Sequence, residues 1–95
     1  MPTYMILSKV APDAMKDPGE FRKLASAVTD KIKSTCPNVK WKDSYALMGR
    51  FDVVDIVEAE TPAEVERAAM IIRCYGRART ETMPATPWTE FLNRL

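Results

Sequence analysis

Asp55 is the residue of this chain with the most chemical potential. It stands in the run Val53-Val54-Asp55-Ile56-Val57, where a lone carboxylate is costly unless it is paired or hydrated. A carboxylate held among apolar neighbours has a raised pKa and can orient a ligand or accept a proton; a hydrogen bond or ion pair at an interface is the structural alternative. Paired across a hairpin, Ser44 faces Asp55 and Ala46 faces Val53, which makes Ser44 the nearest candidate partner, with Arg79 or Lys42 as candidate counter-charges. The other candidate ligand-binding residues are Tyr45 and, beside Gly49, Arg50 and Asp52, which could line an entrance on a rigid sheet. Turn chemistry explains this last group equally well, because glycine supplies a positive φ and aspartate bonds nearby amides. Arg77, Arg79 and Glu81 alternate on one side of the last strand, as cross-strand ion pairs or an anion site would.

What is missing narrows the chemistry further. The chain has no histidine, hence neither the usual general base near neutral pH nor the usual proximal haem ligand. It carries no glycine-rich phosphate loop, no Ser/His/Asp set and no metal-spaced Cys/His cluster. No cofactor and no metal are expected. Cys36 and Cys74 are expected as reduced thiols near helix ends. With both helices expected to run the same way, the two thiols would share one end of the molecule, but a disulfide needs Cα atoms within about 7 Å and is not expected.

Fourteen Lys and Arg against 13 Asp and Glu leave a net charge of +1, too balanced to concentrate the chain on nucleic acid or anionic lipid. The longest apolar stretches fall far short of the roughly 20 residues that span a membrane. A cytoplasmic protein with neither nucleic acid nor membrane as partner is the expectation.

The elements that must position Asp55 are legible in order. Thr3 to Val10 suits a strand, with Tyr4, Ile6 and Val10 on one face and Met5 and Leu7 on the other, both partly buried. Asp17-Pro18-Gly19-Glu20 supplies a cap, a first-turn proline and a following acid, and Phe21, Leu24, Ala25, Val28 and Ile32 form the apolar stripe of a helix ending at Cys36-Pro37. Val39 to Met48 reads as a strand with Trp41, Asp43, Tyr45 and Leu47 on one face and Lys42, Ser44, Ala46 and Met48 on the other. A two-residue turn at Gly49-Arg50 and a central strand from Phe51 follow. Thr61-Pro62-Ala63-Glu64 is a second capping box, opening a helix buried through Val65, Ala68, Ala69 and Ile72 and closed by Gly76 in a left-handed conformation. Arg77 to Met83 is an edge strand, and Thr86-Pro87 starts a short helical tail, 86–95, whose Trp88, Phe91, Leu92 and Leu95 should dock on something.

Strand, helix, strand, strand, helix, strand with right-handed crossovers predicts one domain over residues 1–95. It is α+β, the ferredoxin-like βαββαβ arrangement, a four-stranded antiparallel sheet with two helices on one face. The strands are apolar on both faces, so a second copy is expected on the open one, giving a dimeric α+β barrel.

Met1-Pro2-Thr3-Tyr4 with Leu7-Ser8-Lys9, Gly49-Arg50-Phe51-Asp52, Ile56-Val57-Glu58-Ala59 and Arg79-Thr80-Glu81-Thr82-Met83 together resemble the GYD domain family of small bacterial proteins over nearly the whole chain. Phe51 stands where tyrosine is usual, with Arg50 between it and the glycine, so the phenolic hydroxyl is absent. The resemblance implies a dimeric α+β barrel and no particular reaction. The wider barrel group includes effector domains of amino-acid-responsive transcription regulators, monooxygenases, isomerases and haem-degrading enzymes, among which fold does not choose. Two functions follow as expectations. The first is a homo-oligomer, a dimer or larger, that binds a small organic ligand between two sheets in a regulatory or sensing role. The alternative is a cofactor-independent enzyme, monooxygenase- or isomerase-like, acting on a small aromatic or carbonyl substrate, with Asp55 as general base and Arg79 or Tyr45 orienting the substrate.

Overall fold

The computed structural model describes residues Met1–Leu95. Four strands, β1 (Thr3–Val10), β2 (Lys40–Ala46), β3 (Val53–Glu58) and β4 (Ala78–Ala85), alternate with α1 (Pro18–Thr35) and α2 (Pro62–Tyr75), and α3 (Trp88–Asn93) ends the chain. A 3-10 turn at Pro12–Met15, not foreseen in the sequence, leads into α1. The sheet order is β2-β3-β1-β4 with every neighbouring pair antiparallel. This is the expected ferredoxin-like βαββαβ fold, with β1 and β3 central and β4 at an edge.

Local chemistry explains most element boundaries. Asp17 caps α1 by accepting the Gly19 N–H at 3.0 Å, as predicted. The capping box expected at α2 does not close: the Thr61 side chain makes no cap bond, and Glu64 Oε2 is buried without a partner. Burial of Val65, Ala68, Ala69, Ile71 and Ile72 holds α2 instead, since packing an apolar face outweighs a cap worth about 1 kcal/mol. β4 runs on through Pro84 to Ala85, which an edge position tolerates because no inward ladder bond is lost.

β1 alternates cleanly, Tyr4, Ile6, Ser8 and Val10 buried and Thr3, Met5, Leu7 and Lys9 half-buried. The buried side meets the helices, and the core gathers there around Ile6, Val57 and Val65, each 1 % exposed or less. Burying one such side chain stabilises by about 1.5–3 kcal/mol. The core is lopsided, however, because Ile32 is the one buried residue of α1.

The two helices run antiparallel, not in the same direction as expected. β1 and β3 are antiparallel neighbours, so the helix that leaves each must return in opposite senses. Lys31 Nζ accordingly lies 5.2 Å above the Tyr75 ring, while the start of α2 approaches Cys36 through Arg67 and Glu64. Cys36 is therefore buried at one end of the helix pair and Cys74 exposed at the other end of α2, both as free thiols.

Neither glycine expectation holds. The hairpin is no two-residue turn: β2 ends at Ala46, β3 starts at Val53, and the Leu47 N–H closes a wider loop on the Asp52 carbonyl at 2.8 Å. No glycine has a positive φ. The physical reason lies in β1, which draws Asp52 out of the turn: the Asp52 N–H donates to the Ser8 carbonyl at 2.8 Å and its Oδ2 accepts the Val10 N–H at 2.8 Å. Gly76 closes α2 at φ −93°, and the left-handed residue is Arg77, at φ 54°. Gly76 is needed for space, since a Cβ there would sit 2.6 Å from the Ile72 carbonyl oxygen and 3.3 Å from Val28 Cγ2.

The tail helix leaves Trp88, Phe91, Leu92 and Leu95 exposed, its Trp88 and Phe91 rings 5.6 Å apart, so it does not dock on its own domain. No helix is long and apolar enough to cross a membrane.

The two glycines should separate in denaturant melts. Gly76→Ala should destabilise by about 1–3 kcal/mol because backbone must move. Gly49→Ala, with nothing within 4 Å of its Cβ, should be neutral or stabilising by up to about 1 kcal/mol.

Candidate functional site

Asp55 lies on the face of the sheet covered by the helices. Val53, Asp55 and Val57 pair with Ser8, Ile6 and Tyr4, and directly opposed residues share a face. Asp55 is 8 % exposed, a depth at which a carboxylate needs donors. Both donors come from β2. Ser44 Oγ donates to Asp55 Oδ1 at 2.5 Å, within the range of a charge-assisted bond. Trp41 Nε1 donates to the same oxygen at 3.2 Å and to Ser44 Oγ at 3.0 Å.

A β-bulge makes this trio possible. The expected pairs Ser44–Asp55 and Ala46–Val53 are formed, but the register shifts between Trp41 and Asp43. The extra residue, Lys42, reverses the facing of everything before it. Trp41 therefore joins Ser44 on the helix side, where uninterrupted alternation would put it on the other face. Asp43 and Tyr45, opposite Ile56 and Val54, keep their places on the open side.

Above the trio the protein is not packed. A cavity of about 680 Å³ lies between α1 and the sheet, lined from α1 by Phe21, Leu24, Val28, Ile32 and Lys33 and from the strands by Ser8, Trp41, Ser44, Val53 and Asp55. The apolar stripe of α1 faces this space, which is why that helix buries so little. Volumes of about 300–1,000 Å³ with a mostly apolar wall and a few convergent polar groups are typical of small-molecule sites. Ser8 Oγ is buried on this wall without a hydrogen-bond partner. Burial pushes the Asp55 pKa upward, and the bonds from Ser44 and Trp41 oppose that shift. No cation pairs with Asp55.

The other predicted site residues lie elsewhere. Arg79 opposes Lys9 on the open face, and Tyr45 shares that face, so neither can act with Asp55 within a chain. The arrangement of Asp55 as base with Arg79 or Tyr45 orienting a substrate is not formed, nor does Arg79 or Lys42 pair with Asp55. Arg50 stacks on Phe51, 5.7 Å from guanidinium to ring centroid, in the hairpin loop. Asp52 clamps the end of β1, with Lys9 Nζ 3.7 Å from its Oδ1. Of the six residues Ser44, Tyr45, Arg50, Asp52, Asp55 and Arg79, only Ser44 and Asp55 meet at the cavity. No three Cys, Asp or Glu residues gather closely enough to hold a metal.

The GYD domain family model matches residues 4–94. The chain belongs to the GYD domain family. A protein of Thermus thermophilus named glutamine synthetase and cystathionine beta-lyase binding protein is 29 % identical over 99 residues, covering 100 % of this chain and 99 % of that one. Among solved structures, hypothetical protein PHS023 from Pyrococcus horikoshii is 27 % identical with a TM-score of 0.56, covering 92 % of each chain. The leucine response regulatory protein of Mycobacterium tuberculosis shares the fold at 13 % identity, with a TM-score of 0.62 over 90 % of this GYD chain and 51 % of its own.

Two site residues were hidden in the sequence. Ser8 is the polar interruption of the stripe Tyr4, Ile6, Val10, just as Asp55 interrupts Val53 and Val57, and two such breaks on paired strands signal a shared polar spot. Trp41 carries no comparable signal, because the bulge that turns it inward leaves no mark in the residue pattern.

Asp55→Asn tests the electrostatics. Because the folded-state pKa is raised, Asp55 stabilises fully only when protonated, and that contribution is lost as pH rises through the raised value. Asparagine keeps an acceptor for Ser44 and Trp41 without the charge. The variant should therefore melt higher than the parent at neutral pH. Thermal melts at neutral pH and near pH 4 should show the gap closing on acidification; a lower Tm for the variant at neutral pH would contradict this account.

Proposed function

We propose that this GYD chain is a regulatory binding module rather than an enzyme, a homodimer closed across the open sheet face that holds a small organic ligand beneath α1. The observation that carries the proposal is the cavity under α1, polar at Asp55 and Ser8 and apolar elsewhere. In a domain with only 17 of 95 residues buried, a space of that size where core is expected forgoes stability, unless a ligand fills it. The ligand place proposed here differs from the one expected between two sheets, because the register of β1 and β3 turns Asp55 and Ser8 to the helix side.

The open face supports the dimer. Met5, Leu7, Val54 and Ile56 form its apolar middle, flanked by Glu81 on β4 and Asp43 on β2, with Lys9 and Arg79 side by side at one end and Glu58 at the other. A second copy related by a two-fold axis lying across the strands sets each charged end against its opposite. The name of the Thermus relative supports a role in binding other proteins, and the fold shared with a leucine response regulator fits a regulatory one.

Native mass spectrometry and sedimentation at tens of micromolar test both halves. Twice the 10.7 kDa chain mass is expected, with a discrete extra mass that disappears on denaturation. Ile56→Glu, which would bury an unpaired charge, should weaken the dimer at least tenfold. Leu24→Trp should fill the cavity and remove the extra mass while leaving the dimer intact. A monomeric parent protein would overturn the dimer. A bare protein whose Tm is unmoved by a panel of small apolar compounds would overturn the ligand.

A further inference from the structure

Resting on the ligand cavity just proposed, we infer that its ligand is a small organic amine, with an ammonium held between the Asp55 carboxylate and the Ser8 hydroxyl and an apolar body lying along α1. Three features of the cavity lead there, and they are independent of one another.

The first is a charge that the fold does not use. Ser44 and Trp41 both donate to Asp55 Oδ1, and a neutral amide oxygen would satisfy them as well. Oδ2 receives no hydrogen bond from the protein, and it is not sealed off either, since the buried unpartnered oxygens are Ser8 Oγ and Glu64 Oε2. An anionic oxygen on the wall of a largely apolar space calls for a cation. Lys33 is the one basic side chain that lines the cavity; it is exposed on α1 and makes no ion pair with Asp55.

The second is Ser8, 3 % exposed and without a partner. Leaving a buried hydroxyl unsatisfied is unfavourable. Ser8 and Asp55 are diagonal neighbours on paired strands, because Ser8 opposes Val53 and Asp55 opposes Ile6. Diagonal Cβ atoms lie about 7 Å apart or less, a gap that one ammonium spans with two hydrogen bonds of about 2.9 Å. A primary ammonium carries three protons, so these two bonds leave one for a solvent contact.

The third is the rest of the wall. Phe21, Leu24, Val28 and Ile32 face the strands across the cavity and offer a matching surface to an alkyl or alicyclic body. An anion of the same shape would meet Asp55 as a like charge. An alcohol would find hydrogen bonds but leave the carboxylate without a counter-ion.

A matched series decides the question: cyclohexylmethylamine, cyclohexylmethanol and cyclohexanecarboxylate, titrated by calorimetry and by tryptophan fluorescence in a Trp88→Phe background, where Trp41 is the sole indole. The amine should bind at least tenfold more tightly than the alcohol, and the carboxylate more weakly than either. Asp55→Asn, checked for folding by its Tm, should abolish the preference for the amine while keeping the alcohol, and Ser8→Ala should weaken the amine several-fold. Equal binding of amine and alcohol by the parent, or a preference for the carboxylate, would overturn the amine and leave the cavity standing as a ligand site. Binding of none of the three by the folded parent protein would overturn the ligand cavity itself.

Discussion

A carboxylate that faces the helices from the middle of a 95-residue domain has to find donors among very few side chains, and the shape of β2 answers that need. Lys42 is the extra residue that turns Trp41 to the same side as Ser44. Without it the indole would point to the open face, and Asp55 Oδ1 would keep a single donor. The bulge also sits where the sheet ends, on an edge strand whose pairing can be interrupted at little cost to the rest of the ladder. The central strands β1 and β3 stay regular through Asp55, so the irregularity is confined to the strand that supplies the partners.

The same economy appears in the uneven packing of the helices. α2 buries five residues on the sheet and α1 one, yet α1 is the longer helix and has a clear apolar stripe. α1 is held to the core toward its C-terminal end, where Ile32 and Cys36 join the core cluster and Val28 packs against it, while Asp17 caps its start only locally. Its Phe21, Leu24 and Ala25 face the cavity. An amphipathic helix over empty space contributes less to folding than one on a packed core, and the difference is available to whatever fills the space. The open sheet face is in a similar position, with half-buried Met5, Leu7 and Ile56 uncovered in a single chain.

How much of this was legible in the sequence depended on whether a feature repeats. Strand alternation and helical stripes repeat, so the ferredoxin-like order, the antiparallel sheet and the Ser44–Asp55 pairing could all be read in advance. Single-residue events do not repeat. The bulge at Lys42 is one residue long and inverts the facing of Trp41; Gly49 looks like a tight turn until Asp52 is seen bonding β1 across the sheet; Gly76 looks like a left-handed cap until the Ile72 carbonyl and the Val28 side chain are seen to leave no room for a Cβ. The first two are decided by contacts distant in the chain, the third by one within its own helix and one across the helix pair. Helix direction was a different matter, because β1 and β3 are antiparallel in the very topology that was inferred, and opposite helices follow from it. The face that Asp55 occupies was open in the sequence for a related reason: alternation says which residues share a face, and only the helices say which face they cover.

That choice of face gives β3 two audiences. Val53, Asp55 and Val57 look toward the helices, and Val54 and Ile56 look toward the open side, so consecutive residues of one central strand serve both surfaces. In the proposed dimer the residue that meets the ligand and the residue that meets the second copy are bonded to each other through one peptide. A strand in the middle of a sheet cannot move one without the other, as its amides are committed to neighbours on both sides. Any difference in ligand affinity between monomer and dimer must then be matched by an equal effect of the ligand on dimerisation, because coupling between two binding equilibria is reciprocal. The buried charge takes on a further meaning here. A carboxylate that is uncomfortable without a cation is sensitive to occupancy in a way that an apolar wall is not, and it is placed on the strand that both equilibria share.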